Sequence, residues 1–273
     1  MSNTEGKAAR MNAHMKFQAK LIRADGKHDE FIAQRSDVYT LNRELHLWGI
    51  QGNPDGQHDL LLLRIPEGTQ DGDHPIADEH GVGIKAAFAT AEAAGQATSG
   101  AVHGLKWDRA ANALQASFSF KGALDSSVPT TYQIENGSIR AEWNSPVLAL
   151  GGDNRVKAAV MPPVFSNAGK FEATEVSFTP VGDEFKLQAH QDINGAGQGV
   201  VLFIPGDLSE GSTAQACRAF FIVNQGLYAG RNFSLTDVKW NKAEKTFKAA
   251  FAFEFTYGGS THKVGQGSIA LRY

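Results

Sequence analysis

The chain has 273 residues, 42% hydrophobic and 20% charged, with a formal net charge of −3. That length suits two ordinary globular domains, and the faint negative charge argues against a nucleic-acid or anionic-membrane partner, which needs a basic surface. A single cysteine, Cys217, excludes an intrachain disulfide and a cysteine-rich zinc site, and no run approaches the ~18 apolar residues of a membrane helix.

Residues 1–15 contain no apolar stretch of the kind a secretory leader needs, so they read as a tail and the protein as cytoplasmic. Residues 16–143 read as a first β-domain, carrying most of the acidic surplus. It opens with FQAKLIRADGKHDEFIAQ from Phe17, which lies over FEATEVSFTPVGDEFKLQ from Phe171. Between Gln34 and Leu62 the chain then carries about fifteen residues more than the matching stretch, so YTLNRELHLWGIQGNPDGQHD reads as an insertion. Trp48 falls in it beside polar turn residues. An exposed loop aromatic is a common way for β-modules to stack on a sugar or anchor a partner, so Trp48, Asn53 and Asp55 are candidate ligand-binding residues.

The segment LLLLRIP, ending at Pro66, aligns with VVLFIP, ending at Pro205. After it comes an acidic loop containing Asp71, Asp73, His74, Asp78, Glu79 and His80. Imidazole and carboxylate groups suit a divalent metal, and His74, Asp78 and His80 are the candidate ligands. No HExxH or comparable spacing supports them, and a Gly- and Asp-rich loop is ordinarily a solvated turn. KAAFATAEAAGQA from Lys85 is alanine-rich, but its counterpart CRAFFIVNQGLYAG reads as strand and turn, so both are assigned to strand.

The clearest internal match follows. SGAVHGLKWDRAANALQASFSF (Ser99 to Phe120) lies without a gap over NFSLTDVKWNKAEKTFKAAFAF (Asn232 to Phe253), and both lead to a Gly-Ser-Ile strand at Gly137 and Gly267. In Leu114, Ala116, Phe118 and Phe120, and again in Phe247, Ala249, Phe251 and Phe253, apolar residues alternate as one face of a strand requires. The polar links DRAANA and NKAEKT complete two hairpins. Trp107 and Trp240 are repeat-equivalent and read as packing residues, as do Trp143 and Tyr273. Residues 144–169, with Pro146, Gly151, Gly152, Pro162 and Pro163, read as a partly packed linker, and 170–273 as a second β-domain repeating the first. Its GAGQG at Gly195 to Gly199 leads into a strand and reads as a turn, not a phosphate loop.

The chain is thus expected to be all-β, with two tandem, duplicated antiparallel β-sandwich or small-barrel domains. Nucleophile motifs are missing, no catalytic residue is assigned and no cofactor is expected. The leading functional expectation is a non-enzymatic binding or interaction protein for a small molecule or carbohydrate, contacting the first unit more than the second. A second reading is a homodimer joined through exposed strand edges such as FKAAFAFEF. A third is a metal-dependent hydrolase using the His74, Asp78 and His80 cluster.

Overall fold

The computed structural model describes residues 14–41, 43–52, 58–78, 81–90, 93–125, 130–143, 154–166, 169–193, 196–211, 217–224 and 226–273. Every regular element among them is a β-strand, as the alternation requires. The first half contains β1 (His14–Arg23), β2 (His28–Ile32), β3 (Arg35–Leu41), β4 (Glu44–Gly52) and β5 (His58–Pro66). It continues with β6 (Gly72–Pro75), β7 (Lys85–Ala89), β8 (Ala94–Asp108), β9 (Ala113–Leu124) and β10 (Thr130–Glu142). The second half contains β11 (Arg155–Met161), β12 (Lys170–Glu172), β13 (Glu175–Val181), β14 (Glu184–Ile193) and β15 (Ala196–Pro205). After these come β16 (Arg218–Val223), β17 (Gly226–Ala229), β18 (Arg231–Asn241), β19 (Thr246–Tyr257) and β20 (Ser260–Arg272).

All strand pairings are antiparallel. In the first half they form one sheet in the order β2-β1-β10-β9-β8-β7-β5-β4-β3, with β6 added to β8. The sheet curls through the long strand β8, whose start pairs with β7 and whose remainder pairs with β9. This curl encloses one apolar core, in which Phe17, Phe31, Leu47, Leu61, Phe88, Phe118 and Ile139 meet. The second half has two sheets, β12-β11-β20-β19-β18 and β13-β14-β15-β16-β17, closed over a core that includes Phe171, Phe178, Leu187, Phe221, Phe247 and Phe253. The run corresponding to β8 is broken there at Gly230, where a Cβ would stand 2.8 Å from Ala219.

Two kinds of strand explain this layering. The outer strands β9 and β19 alternate, burying Phe118 and Phe120, or Phe251 and Phe253, while the intervening residues face outward. The strands β4, β5, β7, β16 and β17 are buried along almost every residue, so both faces are covered. A third apolar cluster shows what covers them. Trp48, Ile50, Leu60, Leu62 and Ala87 of the first half pack on Val201, Phe203, Phe220, Ile222 and Leu227 of the second. The molecule is therefore four sheet layers deep, with an inner sheet from each half in the middle.

Strand order in the second half follows that of the first, position for position, except for β6. Irregularities recur at matching places as well. Left-handed residues at Asn136 and Gln266 (φ 50° and 52°) mark register shifts in β10 and β20, and Gly104 and Asp237 (φ 58° and 54°) do the same in β8 and β18. The next residue of each first pair is the Gly-Ser-Ile glycine. A Cβ on Gly137 would lie 2.3 Å from the Phe118 ring, and one on Gly267 would lie 2.7 Å from the equivalent Phe251 ring.

Three expectations change against this topology. Arg155–Met161, assigned to the linker, is β11, hydrogen-bonded to β20 as β1 is to β10. The counterpart of Phe171 in topology is consequently Phe31 of β2, not Phe17 of β1. With that register Glu44–Gly52 answers to Glu184–Asp192, so the supposed insertion around Trp48 is a regular strand with its own equivalent. Lastly, FKAAFAFEF is no edge, because β19 is paired with β18 on one side and β20 on the other.

Candidate functional site between the inner sheets

Strand alternation places a polar set in the apolar layer between the two inner sheets. On β4 the odd residues Leu45 and Leu47 enter the first-half core, which turns His46 and Trp48 toward the second half. Across the first inner sheet, register aligns Tyr39, His46, Arg64 and Lys85 in one row. The equivalent row of the second sheet is Thr179, Lys186, Phe203 and Arg218.

Lys186 is 1% exposed and is one of the contacts between the halves. Its ammonium is ion-paired with Asp37 and stands 3.7 Å from the centre of the Tyr39 ring and 5.0 Å from that of Trp48. Burial pulls the Lys186 amine below its ordinary range, and the Asp37 carboxylate opposes that shift. The Trp48 indole N–H donates to the Tyr39 hydroxyl at 2.7 Å, and that hydroxyl lies 3.1 Å from His46 Nδ1. Burial and the nearby Asp37 charge raise the Tyr39 phenol well above its usual value, so it stays protonated and donates to Nδ1. His46 is correspondingly neutral: burial, then the charges of Arg64 and Lys186, hold it well below 6.5. Its proton then sits on Nε2, which faces Glu44 at 3.7 Å.

The two ends of the layer differ in how their charges are satisfied. At one end Glu184 Oε2 accepts from Arg35 at 2.9 Å and from Arg218 at 2.8 Å, with Asp183 taking a further bond from Arg35 at 2.6 Å. At the other end, Glu44 occupies the place of Glu184, with Arg64 and Lys85 beside it. Lys85 donates to the carbonyls of Asp78 and Gly81. Arg64 is 3% exposed, and its Nε and Nη2 have no hydrogen-bond partner. Gln188, the counterpart of Trp48, faces the Tyr39 hydroxyl, yet neither of its amide atoms forms a well-aligned hydrogen bond. Leaving such groups unmet costs about 1–3 kcal/mol each, and more for a charged one.

The candidates expected from the sequence lie elsewhere. Trp48 is 0% exposed and packs against Phe203, with ring centres 6.1 Å apart; it is not a surface aromatic, because β4 is covered on both faces. Asn53, Asp55 and His80 lie outside the described residues. His74 Nε2 is engaged with the Gln70 carbonyl at 2.7 Å, and Asp78 accepts the Gly81 N–H at 2.8 Å. Among the described residues, no three His, Cys, Asp or Glu side chains converge as a metal site would require. The acidic loop instead straps β8: β6 pairs with it, Asp71 accepts from Trp107 N at 3.0 Å and Asp73 from Gly104 N at 2.8 Å.

Sequence reading missed Asp37, His46, Arg64, Lys186 and Gln188. A usable signal was present, since each of Arg64 in LLLLRIP and His46 in ELHLWGI interrupts a run too apolar for a one-sided strand. Comparison with known proteins finds no family model, curated protein or solved structure that matches this chain.

Proposed function

We propose that the protein is a non-enzymatic binding protein, built from two copies of one β unit, that holds a small ligand in the polar layer between its inner sheets. The observation that carries this reading is the Arg64 guanidinium, enclosed with two nitrogens unmet, whereas at the opposite end of the layer Glu184 is met by both Arg35 and Arg218. Buried polar groups are nearly always partnered, and one without a partner marks a place for water, an ion or a ligand. The residues around it are suited to holding and not to proton transfer near neutral pH. His46 is kept neutral and Tyr39 is kept protonated. Carbohydrate, the class first expected, loses its support with the burial of Trp48. The site draws on both halves, in contrast to the expected bias toward the first.

Native mass spectrometry of freshly purified protein, compared with the denatured mass, tests the reading. A noncovalent adduct of small-molecule size that denaturation releases is the expected result. Absence of any adduct, together with no thermal stabilisation by a broad metabolite panel, would overturn it.

A further inference from the structure

We infer that Lys186 and Asp37 become joined by an isopeptide bond, a covalent cross-link between the two halves that the folded chain forms on itself. The inference is independent of the ligand reading. Both partners sit on packed strands: Asp37 on β3, opposite Trp48 of β4, and Lys186 on β14, opposite Phe203 of β15. Their side chains are 12% and 1% exposed and meet across the layer, although about 150 positions separate them in the sequence. Asp37 Oδ2 and Lys186 Nζ are in contact, yet neither atom completes a well-aligned hydrogen bond. A buried ion pair depends on such bonds for its stability. Glu184 has them, its Oε2 accepting from both Arg35 and Arg218.

Enclosure decides which form of the pair is favoured. In water an amine and a carboxyl group remain separate ions because both are hydrated, as at Lys157 with Glu172 and Lys263 with Glu254, where the lysines are exposed. Between the sheets that hydration is lost, and burial is the leading influence on the Lys186 amine, drawing it toward the neutral form. Tyr39 and Trp48 rings stand where water would, with centres 3.7 and 5.0 Å from Nζ. Their attraction for the ammonium is small beside the hydration the ion gives up.

Condensation removes both charges and releases water from a site that excludes it. The ammonium passes one proton to the carboxylate, leaving an amine and a carboxylic acid. The amine lone pair forms the Nζ–Cγ bond, and the bond from Cγ to one carboxyl oxygen breaks. That oxygen departs as water, carrying the acid proton and one amine proton. The step needs no oxidant or co-reactant, and strands that hold the two groups in contact supply the proximity that free groups lack. The scaffold itself does not require this pair. In strand order and register the matching positions are His46 and Ser177, which offer neither a primary amine nor a carboxyl group.

Denaturing mass spectrometry of the folded wild-type protein, followed by proteolysis and fragment sequencing, tests the inference. The expected result is a chain lighter than its sequence by one water, with a branched peptide joining the segment around Asp37 to that around Lys186. Lys186→Arg keeps the cation without the amine, and Asp37→Ala removes the carboxyl group; each is expected at full sequence mass. Wild-type protein recovered unfolded is expected at full mass and to lose the water on refolding, which ties the bond to the fold. A folded wild-type protein at full mass overturns the inference. So does a water loss that persists in Lys186→Arg, or one that maps to a single linear peptide, as cyclisation at Asp71-Gly72 would give.

Discussion

At the scale of single residues, the inner layer is governed by protonation states fixed through burial. His46, His190 and His58 are all held below 6.5, burial being the leading cause for each. Such a histidine takes up a proton in the unfolded chain before it does so in the folded one. The stability these groups lend is complete above about pH 6.5 and declines as pH falls from there toward their folded values. Thermal unfolding between pH 7.5 and 5 should therefore show Tm falling below pH 6.5, and His46→Gln should make that fall shallower. An unchanged pH slope in His46→Gln would show that His46 titrates normally. None of this was legible from the sequence. A histidine in ELHLWGI announces only that a polar group interrupts an apolar run; what holds it neutral is burial between the sheets, then Arg64 on the neighbouring strand and Lys186 about 140 positions away.

At the scale of elements, hairpins were easier to read than their order. The β8–β9 and β18–β19 hairpins follow from polar links that begin with Asp or Asn, whose side chains cap the next turn: Asp108 accepts from Ala110 and Ala111, and Asn241 from Glu244. The upstream match failed for a physical reason. Alternation has period two in every hairpin, so it identifies strands without saying which strand is which. The shared Asp-Glu-Phe then misled, since at Phe31 it ends in an edge strand and at Phe185 it opens β14. The two Gly-Ser-Ile strands take the same place in their strand orders, and sterics account for the glycine in each. Gly137→Ala and Gly267→Ala should each lower stability by about 1–3 kcal/mol in urea titrations, through forced displacement of Phe118 or Phe251. Similar losses at both are expected because the same ring meets the same bulge; a neutral Gly267→Ala would break that equivalence.

At the scale of the whole molecule, the halves resemble two domains in topology but not in solvation. Each inner sheet depends on the other half to cover a face containing Trp48, Ile50 and Leu62, or Val201, Phe203 and Phe220. Contiguous apolar surface of that kind promotes association when uncovered. A fragment of residues 154–273 should accordingly be oligomeric or insoluble in sedimentation experiments, whereas Phe203→Ser with Phe220→Ser should return it toward monomer. A monomeric, stable wild-type fragment would show the halves to be independent. The break at Gly230 has one more consequence. The polar layer is sealed on both sides, so anything that settles there has to be admitted by a separation of sheets. In the first half a continuous β8 joins inner and outer sheets, and parting them means bending a strand. In the second half no strand runs through the corner; the two sheets are joined there by the turn between Ala229 and Arg231, and elsewhere by the short link from β12 to β13. The first half thus carries its corner on one continuous strand, and the second on short links between separate strands.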